Sequence, residues 1–147
     1  MSKRKVVITG LGIISPVGNT VSDAWKNICS GKSGITKITR FDASSFTSQI
    51  AGEVKDFDIK QYLSVKEARR MDIFIHYGMA AGIQAIKDAG IEDISGLDVT
   101  RIGVNIGSGI GGLPMIESTD AVYHAGGPRK ISPFFIPSTI INMIAGN

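Results

Sequence analysis

The chain has little of the chemistry that usually announces an active site. Its 147 residues include one cysteine, Cys29, and two histidines, His76 and His124. A single cysteine excludes an internal disulfide framework and agrees with a reducing compartment. The three residues stand far apart in sequence without metal-ligand spacing, so no metal site is expected. Nothing in the sequence supports a nucleophile pair of Cys29 with either histidine. Cys29, beside Ile28 and near Trp25, reads as a buried, inert thiol. Long apolar runs are missing as well. Lys3-Arg4-Lys5 is followed by only a few apolar residues before glycines and Pro16, too short for a signal peptide, and no other stretch is long enough to span a bilayer. The net charge of +3 is too small to imply nucleic acid, although a pI near 9.1 favours anionic partners locally. With 43% hydrophobic and 20% charged residues the composition is that of a globular domain. The expectation is a cytoplasmic α/β protein with neither nucleic-acid nor membrane partner.

One further absence concerns the end of the chain. Residues 131–147 carry no charged side chain and finish on an apolar run. Free C-termini are usually polar and loosely held, so the expectation is a chain that continues beyond Asn147; the alternative is a terminus buried in a dimer.

Several stretches have clear patterns. Lys5–Thr9 is a short β-branched run and predicts a buried strand. The turn-rich loop that follows leads to Ser22, a candidate N-cap for a helix carrying Trp25, Ile28 and Cys29 and ending at Gly31 to Gly34. Short strands are indicated around residues 35–38 and 50–54. Ser64 and Glu67 fit a capping box, opening a helix that runs to Ala89 and stops at Gly90. Met71, Phe74, Ile75, Met79, Ile83 and Ile86 form its buried stripe. Gly78, Ala81, Gly82 and Ala85 keep part of this helix thin, which predicts close packing against another backbone. His76 within it reads as a structural histidine. Arg101–Ile106 alternates small and apolar residues like a buried strand. A helix from Leu113 or Pro114 to about Ala125 follows, and Ser138 is placed to cap a last one through Ile144.

Gly107-Ser108-Gly109-Ile110-Gly111-Gly112 satisfies G-x-G-x-x-G between a predicted strand and a predicted helix. A dinucleotide-binding reading also needs an acidic residue roughly 20 positions on, and residues 121–147 contain none. That reading is therefore the weakest. Lys66, Arg69 and Arg70 share one face if they stand on the first turns of the long helix, where their charge opposes the helix dipole. An acidic partner would explain that cost; a solvated face is the alternative.

Three motifs identify a family. VVITGLGIISPVGNT, GSGIGG and GGPRKISPFFIPSTIINMIAG resemble the N-terminal part of the elongating β-ketoacyl-[acyl carrier protein] synthases of type II. The resemblance covers the whole chain but well under half of a family member. It implies a thiolase-like fold: two similar α/β halves, each a mixed five-stranded sheet between helix layers, assembled as a homodimer. Residues 1–147 would be the N-terminal portion of the first half, with the remainder of that domain and the C-terminal domain outside the chain. The implied reaction is fatty-acid chain elongation by decarboxylating Claisen condensation of malonyl-carrier protein with an enzyme-bound acyl thioester, with no cofactor. The nucleophilic cysteine and two catalytic histidines of the family pattern lie beyond Asn147, so no catalytic residue carries over. Binding residues do. Ile110 matches the residue that lines and gates the acyl pocket, and Phe134 and Phe135 match a segment near the dimer interface, where one phenylalanine helps close the pocket of the partner subunit. Lys66, Arg69, Arg70, Arg129 and Lys130 match the basic patch that receives the acyl carrier protein. A fragment that retains only carrier-protein binding is the alternative to a working part of an enzyme.

Overall fold

The computed structural model describes residues 3–147. In chain order the elements are α1 (Val21–Cys29), β1 (Ile35–Lys37), β2 (Ile50–Gly52), α2 (Val65–Ala68), α3 (Ile73–Asp88), α4 (Leu113–Gly126), α5 (Phe135–Thr139) and α6 (Met143–Gly146). Single 3-10 turns occur at Ile59–Gln61, Val99–Arg101 and Pro128–Lys130. The residues form two compact units: one runs to Asp58 and adds Ala81–Glu92, the other takes Ile59–Ala80 and Asp93–Asn147. Helix α3 gives its first half to the second unit and its remainder to the first.

In the first unit α1 starts two residues earlier than Ser22 would place it. Thr20 is the N-cap, its backbone extended and its hydroxyl accepting the Asp23 amide at 3.1 Å. Gly31, at φ +71°, follows its end in the left-handed conformation that glycine adopts without steric cost. β1 and β2 pair antiparallel, Ile35 opposite Gly52 and Lys37 opposite Ile50, where the short strands were expected. The loop through Gly10 and Gly12 lies directly on α3. A Cβ on Gly12 would stand 1.9 Å from the Ala81 carbonyl oxygen, and one on Gly10 would stand 2.2 Å from that of Ala85. The thin face of the helix thus meets another backbone, as its small residues require. The Leu11 amide donates to Asp88 Oδ2 at 2.9 Å and the Ile13 amide to Gln84 Oε1 at 3.2 Å, which fixes the loop at both ends of the contact.

Two expectations for this unit fail. Cys29 is exposed, and α1 buries only Ala24. Trp25 and Ile28 instead line an open apolar groove of about 190 Å³ with Leu11, Gly12, Ile13 and Val21. Lys5–Thr9 forms no strand, and Val6 is 96% exposed. In the second unit Arg101–Ile106 likewise forms none: Arg101 ends a 3-10 turn capped by Asp98, and Val104 is exposed. The physical reason is common to both. A strand is defined by the neighbour that takes its N–H and C=O groups, and β1 and β2 are the only strands among the described residues. These residues therefore carry one two-stranded sheet rather than the five-stranded sheet implied for a whole half.

The second unit begins with the expected capping box. Ser64 Oγ accepts the Glu67 amide at 3.3 Å, and Glu67 Oε2 accepts the Ser64 amide at 3.0 Å. The long helix, however, is two helices. Its hydrogen-bond ladder breaks at Asp72, whose amide donates to the Ser138 carbonyl at 3.3 Å instead of one turn back. The Ala68 carbonyl is taken by the Met71 amide and by His76 Nε2 at 2.9 Å, so His76 is structural, as expected, and braces the break. α3 restarts at Ile73 and ends before Gly90, at φ +67°, where the Ile91 amide closes the last turn onto Ile86 at 3.2 Å. Its buried residues are Ile75 and Ala80, and Gly78 leaves room for Ile144: a Cβ there would stand 2.5 Å from Ile144 Cγ2. α4 occupies the predicted stretch. Ser138 does not cap a last helix. It lies inside α5, 1% exposed, with its hydroxyl donating back to the Phe135 carbonyl at 2.7 Å; the short α6 follows separately.

Candidate functional site

The Gly-rich loop and the Phe-Phe/Pro-Ser-Thr segment meet within the second unit. The Gly112 amide donates to the Thr139 carbonyl at 3.0 Å. A Cβ on Gly111, already at φ +90°, would stand 2.5 Å from that oxygen, and one on Gly112 would stand 2.8 Å from Thr139 Cα. These two glycines exist for the close approach of α5. Gly107 and Gly109 have no such neighbour. Ile110 stands two residues from the contact and is 74% exposed, its side chain unoccupied by packing.

Beneath the contact lies a buried polar cluster that sequence reasoning missed. Asp72 is 4% exposed. Its Oδ2 accepts the Met115 amide at 2.8 Å, in the first turn of α4, and its Oδ1 accepts the Phe74 amide at 3.4 Å, in the first turn of α3. Thr139 directs its hydroxyl to the Phe135 and Ile136 carbonyls at 3.0 and 3.2 Å, so it too is satisfied. The available signal was an acid, Met71-Asp72-Ile73, interrupting an apolar stripe; a charge there must be paired. The Asp72 carboxylate also weighs against the dinucleotide reading. The N-terminus of α4, where a phosphate would sit, already carries an anion on its Met115 amide.

Phe134 and Phe135 stand at the start of α5, the first exposed and the second half-buried. The Arg70 guanidinium lies over the Phe134 ring, 4.5 Å from its centroid. Arg70, Met71, Phe134, Pro137 and Met143 line a groove of about 300 Å³ with Glu67. Ile110 is not among its lining residues. Glu67 is held below the ordinary glutamate value by hydrogen bonds from the Ser64 hydroxyl and then the Ser64 amide.

The basic residues are all exposed, and the structure revises how they are held. Lys66 lies in the single turn of α2, Arg69 is its C-cap, and Arg70 follows in the break. Arg69 therefore stands at a helix C-terminus, where a cation is favoured, and for it the dipole conflict expected on a continuous helix does not arise. Arg129 and Lys130 share the 3-10 turn Pro128–Lys130, with Lys130 laid against Gly126. Among the described residues no three His, Cys, Asp or Glu side chains cluster to hold a metal ion, and no helix is long and apolar enough to cross a membrane.

The fold is that of the ketosynthases. A type II polyketide ketosynthase, solved in complex with its acyl-carrier protein and bound to a hexaketide, matches 95% of the chain at a TM-score of 0.76 and 26% identity, the chain covering 36% of it. The class defined by the architecture is thus the thiolase-like ketosynthase fold. The chain belongs to the β-ketoacyl synthase family: the pattern of the Beta-ketoacyl synthase, N-terminal domain, matches residues 3–147. The 3-oxoacyl-[acyl-carrier-protein] synthase 2 of Vibrio harveyi is 58% identical over 147 residues, which is 100% of this chain and 35% of that protein. The protein of the same name from Coxiella burnetii is 55% identical over 146 residues, 99% of this chain and 35% of its own length. The chain thus spans about a third of the length of the curated relatives it matches.

Proposed function

We propose that this chain is the N-terminal portion of a 3-oxoacyl-[acyl-carrier-protein] synthase, contributing acyl-pocket and carrier-docking residues to an enzyme whose nucleophile lies beyond Asn147. The observation that carries the reading is the joining of GSGIGG to the Phe-Phe/Pro-Ser-Thr helix through the Gly112–Thr139 hydrogen bond, in a chain matched to such synthases along its whole length. Ile110 gates the hydrocarbon chain, and Phe134 and Phe135 lie near the interface of a homodimer, where one phenylalanine helps close the pocket of the partner subunit. Lys66, Arg69, Arg70, Arg129 and Lys130 receive the acidic carrier protein. The whole enzyme works in the cytoplasm.

The reaction proceeds in two transfers. A cysteine thiolate of the remaining sequence attacks the thioester of an acyl-carrier protein and releases the carrier thiol. Malonyl-carrier protein then loses carbon dioxide, and its enolate attacks the enzyme thioester, expelling the thiolate and leaving a 3-oxoacyl chain on the carrier. The described residues serve this chemistry by binding and by shaping the pocket. Elongation assayed with acyl- and malonyl-loaded carrier protein tests the proposal: the intact protein should release carbon dioxide and form the 3-oxoacyl product, and an intact protein that binds carrier without condensing would leave only a docking role.

A further inference from the structure

We infer that Asp72 is a positioning residue that sets the acyl-chain selectivity of this site by holding the exit of the Ile110 loop against α5; the inference rests on the pocket role proposed for Ile110. Asp72 is the joint at which three elements meet. Its backbone amide donates to the Ser138 carbonyl at 3.3 Å and its carbonyl accepts the Ile75 amide at 3.0 Å, tying the end of α5 to the start of α3. Its carboxylate reaches the start of α4 through the Met115 amide at 2.8 Å. Gly112 is pressed between Asp72 and Thr139: a Cβ on Gly112 would stand 3.1 Å from Asp72 Cβ and 2.8 Å from Thr139 Cα.

The consequence for Ile110 is geometric. Ile110 is 74% exposed, so its own packing does not place it. Its position is inherited from Gly111 and Gly112, and theirs from Thr139 and Asp72. One carboxylate accepting amides at the first turns of two helices uses the favourable field of both N-termini. Its removal would leave the Met115 amide without its partner in a half-buried place. The start of α4 would then shift or fray, and the gate three residues upstream would lose its fixed distance from the Phe134–Phe135 end of α5. The buried charge is thus explained by what it joins. A well-packed apolar residue would fill the space without giving either helix an acceptor.

The test uses the intact synthase and two readouts. The first is kcat/KM for a long and a short acyl primer, whose ratio measures the gate, while overall activity measures everything else. Asp72→Ala should lower the long-to-short ratio about tenfold. Asp72→Asn keeps one acceptor for the Met115 amide and should retain most of the ratio, a rescue that loss of stability alone would not produce. The second readout is hydrogen exchange over residues 107–116, which needs no turnover. Asp72→Ala should speed it about tenfold and Asp72→Asn by less, with α1 unchanged. If Asp72→Ala does not fold, Gly112→Ala provides the same perturbation from the other side, because its Cβ forces the loop off Thr139. An unchanged primer ratio, or unchanged exchange in 107–116, overturns the inference. If the wild-type protein itself condenses nothing, the functional proposal fails separately, and the exchange experiment still decides whether Asp72 holds the loop.

Discussion

The backbone contact between the Gly10–Gly12 loop and α3 predicts a large effect from one methyl group. In Gly12→Ala the new Cβ would begin 1.9 Å from the Ala81 carbonyl oxygen, 2.8 Å from the Ala85 amide nitrogen and 2.9 Å from the Ala81 carbonyl carbon. Restoring van der Waals distance requires a displacement of roughly 1.3 Å, and all three neighbours are backbone atoms, so no side-chain rotation relieves it. Any displacement also strains the Leu11–Asp88 and Ile13–Gln84 hydrogen bonds that flank the contact. Overpacking of this kind costs about 3 kcal/mol, the upper part of the usual range, because the contact is backbone on backbone. Gly82→Ala is the matched control. It lies on the same helix with nothing within 4 Å of its added Cβ, so it should stabilise the helix by up to about 1 kcal/mol through propensity alone. Native-state hydrogen exchange of the intact protein reads both as local opening free energies across residues 81–88. A Gly12→Ala protein within about 0.5 kcal/mol of wild type, or a Gly82→Ala cost equal to that of Gly12→Ala, would rule out the backbone clash as the cause.

Other predictions concern the site and its supports. Ile110→Phe adds about three carbons at the gate, displacing two to three methylenes of substrate; at about 0.8 kcal/mol each, kcat/KM for long primers should fall roughly thirtyfold, with a far smaller loss for short ones. Equal losses for both would indicate a folding defect instead. Arg69→Glu with Arg70→Glu should weaken carrier-protein binding at least about tenfold at 0.1 M salt, and the difference from wild type should nearly vanish at 1 M, where the Debye length is about 3 Å; a salt-independent affinity contradicts the docking role. Glu67 is held below its ordinary value of 4.5 by Ser64. Its stabilisation of the α2 start is therefore present above that value and is lost as pH falls through the lower, folded one. Amide protection of residues 64–68 should drop as pH falls below about 4.5 and become flat in Glu67→Gln, measured by exchange at matched intrinsic rates.

What was legible in the sequence was what local chemistry decides. The Ser64–Glu67 box, the stop at Gly90 and the span of α4 each depend on residues within a few positions of one another, and the two short strands pair across a single loop. The thin face of α3 was legible because small residues in a helix demand a close neighbour, although its identity, the Gly10–Gly12 loop, was not. The break at Asp72 was invisible for a tertiary reason: the amide leaves the helix for the Ser138 carbonyl, far along the chain. Ser138 misled in the same way, since a residue well suited to capping is used here to satisfy its own helix from within. Lys5–Thr9 and Arg101–Ile106 have the composition of strands, but composition cannot provide a ladder partner. Of the site, the resemblance picked out Ile110, Phe134, Phe135 and the basic residues; the residue that joins their supports had to be seen in three dimensions.

Under the proposed function these residues bind substrate and shape its pocket, and the covalent chemistry falls to a cysteine beyond Asn147. Cys29 is the residue to test, because it is the one cysteine of the chain, it is exposed, and it ends α1. The decisive measurement is mass-spectrometric mapping of the acyl adduct after the intact protein is incubated with acyl-carrier protein alone. The expected result is a thioester on a cysteine downstream of Asn147 and none on Cys29. Acyl transfer to Cys29 that is competent for malonyl-dependent elongation would contradict it.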